Sequence, residues 1–207
     1  MLLRVVIAAL VSYFLGNHNG AICVSLMMGD DVRTHGSGNA GLTNFIRSYG
    51  TARALLVVAI DAGKAVLACL VSGLLLAPDG FALEGKMLGG LFVLLGHVYP
   101  ALQGFKGGKG ILSGWFIAWT VDWRIALAIG LVFFITYFAT RYVSLGSVLG
   151  VVTFGLGFAV LYHQNLWVWL PGALMAALCL FAHRSNILRL LKGQERKTDL
   201  FSKGKKQ

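Results

Sequence analysis

The chain has 207 residues, 57% of them hydrophobic and 13% charged, with a mean hydropathy of +0.75. A soluble globule of this size needs more charge to wet its surface, and a disordered chain carries far fewer apolar residues, so both classes are excluded in favour of an integral membrane protein. The formal net charge of +10 sits between and after apolar runs, which fits topology signals, anionic lipid or a phosphorylated substrate and not nucleic acid.

Seven apolar segments are predicted, at 3–28, 53–77, 86–103, 110–121, 124–140, 144–161 and 165–182. Arg4 followed by Val5–Leu15 has the outline of a secretory signal. Gly16-Asn17-His18-Asn19-Gly20 stands where a small-x-small cleavage site would be, and the apolar run then resumes, so the segment is read as a retained first helix. Its Asn-His-Asn patch must face the bundle interior. The fourth and fifth segments could fuse into one helix, but Asp122-Trp123-Arg124 would then lie near its middle. Two short spans with an interfacial turn are cheaper.

Charge bias supports seven spans with the N-terminus outside and the C-terminus cytoplasmic. Thirteen Lys and Arg then fall inside, in loops 29–52, 104–109 and 141–143 and the tail from 183, against Arg4, Lys86 and Arg124 outside. Six spans would send the eight-charge tail outward. The expectation is an all-α polytopic protein of about seven transmembrane helices, a single domain over 1–207 with a basic cytoplasmic tail from about 183 to 207.

Three glycine-rich or polar segments then share the cytoplasmic face. The first is Arg33-Thr-His-Gly-Ser-Gly-Asn-Ala-Gly-Leu-Thr-Asn-Phe-Ile-Arg47. Glycines such as Gly36 and Gly38 let backbone N–H groups turn towards an anion. Ser37, Asn39, Thr43 and Asn44 add neutral donors, and Arg47 offers a planar fork suited to phosphate. The second is Gly104-Phe-Lys-Gly-Gly-Lys-Gly110, after Gly96-His97. Lys106 and Lys109 among Gly107, Gly108 and Gly110 suit a phosphate, although the spacing is not that of Walker A and a plain basic turn would look similar. The third is His183-Arg-Ser-Asn186 and its continuation to Lys197, where helical spacing puts His183 and Asn186 on one face at the membrane exit. A basic lipid-binding anchor explains its lysines but not that pair.

Within the second segment Asp61 and Lys64 lie three residues apart, which predicts an ion pair facing the interior. His97 could be a base, an orienting group or a buried hydrogen-bonding group. Cys23, Cys69 and Cys179 are scattered in apolar runs, and no metal-ligand spacing joins the five histidines, so no metal or other cofactor is expected.

Taken together, Gly36–Asn44 with Arg47, Gly96-His97 with Phe105–Gly110, Arg141–Ser147, and His183–Asn186 with Gly193 and Glu195 resemble the bacterial acyl-phosphate:glycerol-3-phosphate acyltransferase family along nearly the whole chain. The chain departs from the family's usual pattern at Ala40, at Leu42 and over Gly16–Asn19. The resemblance implies transfer of an acyl group from acyl phosphate to the 1-hydroxyl of sn-glycerol 3-phosphate, giving lysophosphatidate and phosphate, at the cytoplasmic side of a bacterial inner membrane. It further implies that Ser37, Arg47, His183 and Asn186 are essential to the active site, that the Gly107/Gly108/Lys109 loop holds glycerol 3-phosphate, and that Glu195 supports the site structurally. Acyl phosphate is already activated, so direct attack by the glycerol hydroxyl suffices, with His97, His183 or a phosphate oxygen taking the proton. The His-x4-Asp signature of other glycerolipid acyltransferases is absent. A transporter of a phosphorylated or anionic solute is the competing reading, and a non-catalytic lipid-binding protein is a further one.

Overall fold

The structure, a computed structural model, describes residues 1–198 and contains no strands among them. The last lysines of the predicted basic tail, Lys203, Lys205 and Lys206, lie outside the described residues.

Each predicted apolar segment is helical. The first is α1 (Leu2–Gly16) followed by α2 (Gly20–Met27). After a polar loop and the short α3 (Leu42–Tyr49) come α4 (Ala54–Leu76) and α5 (Ala82–Val98). Then follow α6 (Ile111–Val121), α7 (Trp123–Thr140), α8 (Val143–Leu161), α9 (Leu166–Ala182) and α10 (Arg184–Leu191). The predicted third segment, 86–103, is displaced: its helix begins at Ala82 and stops at Val98. Pro100 has no N–H and disfavours helix in the residue before it.

Among the described residues, four stretches (Ala54–Asp79, Ala82–Gln103, Trp123–Thr140 and Val143–Leu161, containing α4, α5, α7 and α8) are long and apolar enough to cross a membrane alone, and up to six spans result if the bent pairs α1/α2 and α9/α10 each count as one. The seventh apolar helix, α6, has 11 residues. At 1.5 Å per residue it reaches about 16 Å, half the ~30 Å hydrocarbon thickness. Its shortness follows from where it starts. The loop before it does not sit at the end of the bundle but is sunk into it: Ser113 near the start of α6 donates to the Asp61 carbonyl, and His97 at the end of α5 approaches Asp61 Oδ1 at 3.5 Å. Asp61 lies seven residues into α4, about 10 Å below its first turn.

The polar Asn17-His18-Asn19 patch is a break, with α1 and α2 meeting at 45°. A broken helix inside a bilayer strands carbonyls and N–H groups that water cannot reach. Here Lys64 Nζ donates to the carbonyls of His18 (3.0 Å) and Gly16 (3.4 Å), and Asp61 Oδ1 accepts from Gly20 N (3.0 Å). Lys64 and Asp61 pair at 2.7 Å, with both side chains almost fully buried. Asn19 caps α2 by accepting from Ile22 N, and Asn17 accepts from Leu102 N. The break is tolerable because Gly16 and Gly96 bring α1 and α5 into backbone contact: a Cβ on Gly16 would lie 2.8 Å from Gly96 Cα.

Two apolar cores hold this frame. The larger, with Met87, Leu94, Ile117, Phe158 and Met175 fully buried, joins α4–α9. The smaller, around Ile22, Val32, Phe45 and Val57, seats α3 and the loop before it on α2 and α4.

Candidate active site

The first polar loop is shaped by Asn44. Its Oδ1 accepts from Ser37 N (2.9 Å), and its Nδ2 donates to the carbonyls of Val32 (3.1 Å) and His35 (3.0 Å). The sequence suggested a donor for ligand here; the amide is instead committed to the loop, curling it so that Ser37, Asn39, Thr43 and Arg47 line one cavity. Gly36 has φ +59° with Asn44 Oδ1 where a Cβ would stand, so only glycine fits this turn.

The second loop folds back on the end of α5, Gly107 N donating to the Val98 carbonyl and Gly108 N to that of His97. Gly108 is wedged among His97 Nε2, the Ala40 carbonyl and Asn19, leaving no room for a side chain. Asn19 Nδ2 also donates to the Ala40 carbonyl (2.9 Å), so one asparagine in the helix break touches both loops. Lys109 then points across to the third segment and donates to Asn186 Oδ1.

In the third segment His183 Nδ1 lies 2.8 Å from the Cys179 carbonyl, which can only accept. Nδ1 therefore carries the hydrogen and Nε2 is left with a lone pair. Asn186 Nδ2 donates to Glu195 Oε1 (3.1 Å), while Arg189 Nε donates to Oε2 of the same carboxylate (2.9 Å). Arg47 donates to Thr198 Oγ1, closing the ring between α3 and the end of the described chain.

These groups surround one cavity of about 680 Å³, within the range of small-molecule sites. At its mouth are Ser37, Gly38, Asn39, Thr43, Arg47, Lys109, Gly110, His183, Asn186, Arg189, Glu195 and Arg196, and Asp61 and His97 reach its inner wall. Below the mouth the lining turns apolar, running between α6, α7, α8 and α9 past Ile111, Phe133, Val151 and Met175. Not every expected residue is brought here. Lys106 and Gly107 lie with Asp31, Arg33 and Gln103 around a smaller outer hollow that touches the cavity only at Gly38. Gly36, Gly108 and Lys64 shape the walls from behind. Ser144, absent from the set of residues expected at the site, lines the cavity and has a buried hydroxyl without a hydrogen-bond partner among the described residues. It lies in the Arg141–Ser147 stretch that carries part of the resemblance, but no periodicity or spacing singles it out there, because serine is common in apolar helices.

The mouth is strongly cationic. Glu195 faces Arg47, Lys109, Arg189 and Arg196, and among the described residues no carboxylate lies within ion-pair distance of Arg47 or Lys109. Burial, reinforced by the charges of Arg189 and Arg47 and opposed by Glu195, brings Lys109 down to about 8. Burial also lowers Arg47, against the pull of Glu195, but a guanidinium stays charged. No grouping of His, Cys, Asp and Glu suited to a metal occurs among the described residues. A cationic mouth, an imidazole with a free nitrogen and an apolar groove together suit an anionic reactant joined to a fatty chain.

The sequence model of the family described as Glycerol-3-phosphate acyltransferase matches residues 6–193. A glycerol-3-phosphate acyltransferase of Thermoanaerobacter sp. (strain X514) is 39% identical over 193 residues, covering 93% of this chain and 94% of that protein. One of Finegoldia magna is 37% identical over 199 residues, covering 94% and 96%. Among solved structures, the crystal structure of PlsY (YgiH), an integral membrane glycerol 3-phosphate acyltransferase, in its glycerol 3-phosphate form superposes with a TM-score of 0.85 at 31% identity, over 96% of this chain and 99% of that one. Its lysophosphatidic acid form gives 0.82 at 30% identity, over 94% and 95%.

Proposed function

This chain belongs to the glycerol-3-phosphate acyltransferase family, a multi-pass membrane acyltransferase, and we propose that its donor is acyl phosphate and its product lysophosphatidate, made at the cytoplasmic face of a bacterial inner membrane. The observation that carries this reading is the composition of the large cavity: Arg47 and Lys109 at the mouth, paired with no carboxylate among the described residues, continuous with an apolar groove. Two phosphate-bearing reactants need the first, and the acyl chain needs the second.

In this reading Arg47 and Lys109, with the backbone around Ser37 and Gly38, neutralise the two phosphates and hold the glycerol 1-hydroxyl against the acyl carbonyl. The hydroxyl oxygen attacks the carbonyl carbon, the C–O bond to phosphate breaks, and inorganic phosphate leaves with the electron pair. The hydroxyl proton passes to His183 Nε2 or to a phosphate oxygen. His97 is the poorer acceptor, because its Nδ1 faces the donor-only Lys64 ammonium at 2.8 Å and accepts a hydrogen bond from it, which leaves the hydrogen of the neutral ring on Nε2. Asn186 and Glu195 position Lys109.

Purified protein incubated with palmitoyl phosphate and labelled glycerol 3-phosphate is expected to form labelled lysophosphatidate, with neither acyl-CoA nor acyl carrier protein added. A folded protein that makes none, or that uses only a thioester donor, overturns the proposal. A transporter instead moves glycerol 3-phosphate across a vesicle without consuming acyl phosphate. An acyl ester trapped on Ser37 refutes direct attack.

A further inference from the structure

The apolar arm of the cavity runs between α6, α7, α8 and α9, and its lining on α8 stops at one level. On α8 the lining residues run from Ser144 at the mouth through Ser147, Gly150 and Val151 to Phe154, and no α8 residue beyond Phe154 contributes. Ten residues of helix separate Ser144 from Phe154, about 15 Å, which is half the ~30 Å hydrocarbon core and hence the depth of one leaflet. At that level Phe154 packs at a tilted angle against the fully buried Phe158, with ring centroids 4.9 Å apart. Phe158 is in turn packed against Gly172 of α9, so the space below is solid. On the facing side Trp115 Nε1 is fixed to the Ala126 carbonyl at 2.8 Å, and a Cβ on Gly130 would lie 3.2 Å from its ring, which holds the indole still.

One position on the wall is open. Gly114 of α6 is buried and lines the cavity, yet a Cβ built there meets no atom within 4 Å. In a packed interior such a site faces empty volume. The space beside it is the cavity itself.

Resting on the acyl-transfer reading above, we propose that Phe154 is the floor that sets the longest acyl chain this enzyme accepts, and that the missing side chain of Gly114 keeps the groove wide enough for a full-length saturated chain. That one-leaflet depth holds a chain of about twelve carbons fully extended, and longer donors must tilt or bend within the cavity of about 680 Å³. The two further methylenes of stearoyl over palmitoyl must bend back or displace the Phe154 ring, losing together about tenfold in kcat/KM.

The test compares kcat/KM for dodecanoyl, palmitoyl and stearoyl phosphate in the full chain. Phe154→Ala is expected to raise the stearoyl-to-palmitoyl ratio by about tenfold, because the vacated ring volume extends the groove. Gly114→Leu, whose side chain enters open space, is expected to lower the palmitoyl-to-dodecanoyl ratio by at least tenfold. An active Phe154→Ala with the wild-type chain-length profile overturns the floor. If that variant does not fold, Gly114→Leu decides alone, and an unchanged profile there overturns the proposal. Failure of the acyl-transfer reading is distinguishable, since wild type would then consume none of the three donors.

Discussion

Arg47 shows how much chemistry one side chain carries. It projects from α3 into the cavity mouth, braced by Thr198, and no carboxylate among the described residues neutralises it. Arg47→Ala should cut kcat/KM for glycerol 3-phosphate by about 100-fold to 1,000-fold, the range for removing one preorganised donor from developing charge. Yield and thermal stability should stay close to wild type, because nothing in either apolar core rests on it. Lys109 gives the pH dependence. Its folded-state value of about 8 lies below that of a free lysine, so its positive charge is present below about pH 8 and is lost as pH rises through it. Glycerol 3-phosphate is dianionic throughout that range. Its KM should therefore rise roughly tenfold between about pH 7 and about pH 9, as the charged fraction of one such group falls. Steady-state kinetics across that interval check it, and a flat KM would remove the ammonium from phosphate binding. Asn44 acts by shape alone, and its replacement by alanine should harm KM and kcat together, because Ser37 N and the carbonyls of Val32 and His35 lose the bonds that curl the loop.

At the scale of elements, the broken first helix and the buried pair on α4 are one device. Lys64 satisfies two carbonyls freed by the break, while Asp61 neutralises Lys64 and accepts the Gly20 N–H. Removing one partner leaves the other buried without compensation. Lys64→Ala should therefore destabilise by about 3–5 kcal/mol, and more of the protein should unfold at moderate temperature in detergent. Lys64→Ala with Asp61→Asn should recover part of the loss, since no lone charge then remains. Static light scattering during a thermal ramp checks both. An unchanged midpoint for Lys64→Ala would mean that the carbonyls find other partners. The i,i+3 spacing and the cost of lone charges in lipid made the pair legible in the sequence. What it holds was not, because the contacts to residues 16–20 and to His97 depend on how α1, α4 and α5 are packed. The displaced start of α5 has the same origin: Lys86 lies within its helix and donates to the Thr120 carbonyl, so a charge that looked like a boundary is accommodated inside. The short α6 likewise reads in sequence as one of two short spans joined by an interfacial turn, and only the sunken loop before it explains why it needs no more length.

Across the whole molecule, the three polar segments were recognisable because each concentrates donors and glycines that a connecting loop does not require. Their union in one cavity is a tertiary fact, carried by Asn19 touching both loops and by Lys109 meeting Asn186. The apolar arm was not legible as such. Apart from Ser144 and Ser147, inside the Arg141–Ser147 stretch that carries part of the resemblance, its lining residues are ordinary members of apolar helices, and Gly114 stands out only when the walls are assembled. The two ends of the bundle differ in charge. Away from the cavity mouth, Arg4 pairs with Asp79 at 2.9 Å, Arg124 pairs with Asp122 at 2.6 Å, and Lys86 is held by a carbonyl. The mouth end instead gathers Arg47, Lys106, Lys109, Arg184 and Lys192. The proposed orientation puts in the cytoplasm the end whose cations have few carboxylate partners among the described residues, as the positive-inside bias favours, and such an end would also attract phosphorylated reactants at long range. Insertion and substrate supply therefore call for the same orientation. Lys192 and Gln164 are both exposed and lie at opposite ends. Lys192→Cys should react with a membrane-impermeant maleimide only in inside-out vesicles, and Gln164→Cys only in intact spheroplasts. The wild-type protein supplies the background, since Cys69 and Cys179 are buried and Cys23 is half-buried. The reverse pattern would put the mouth outside the cell, where a reactive acyl phosphate made in the cytoplasm could not reach it, and would overturn the orientation and the proposed donor together.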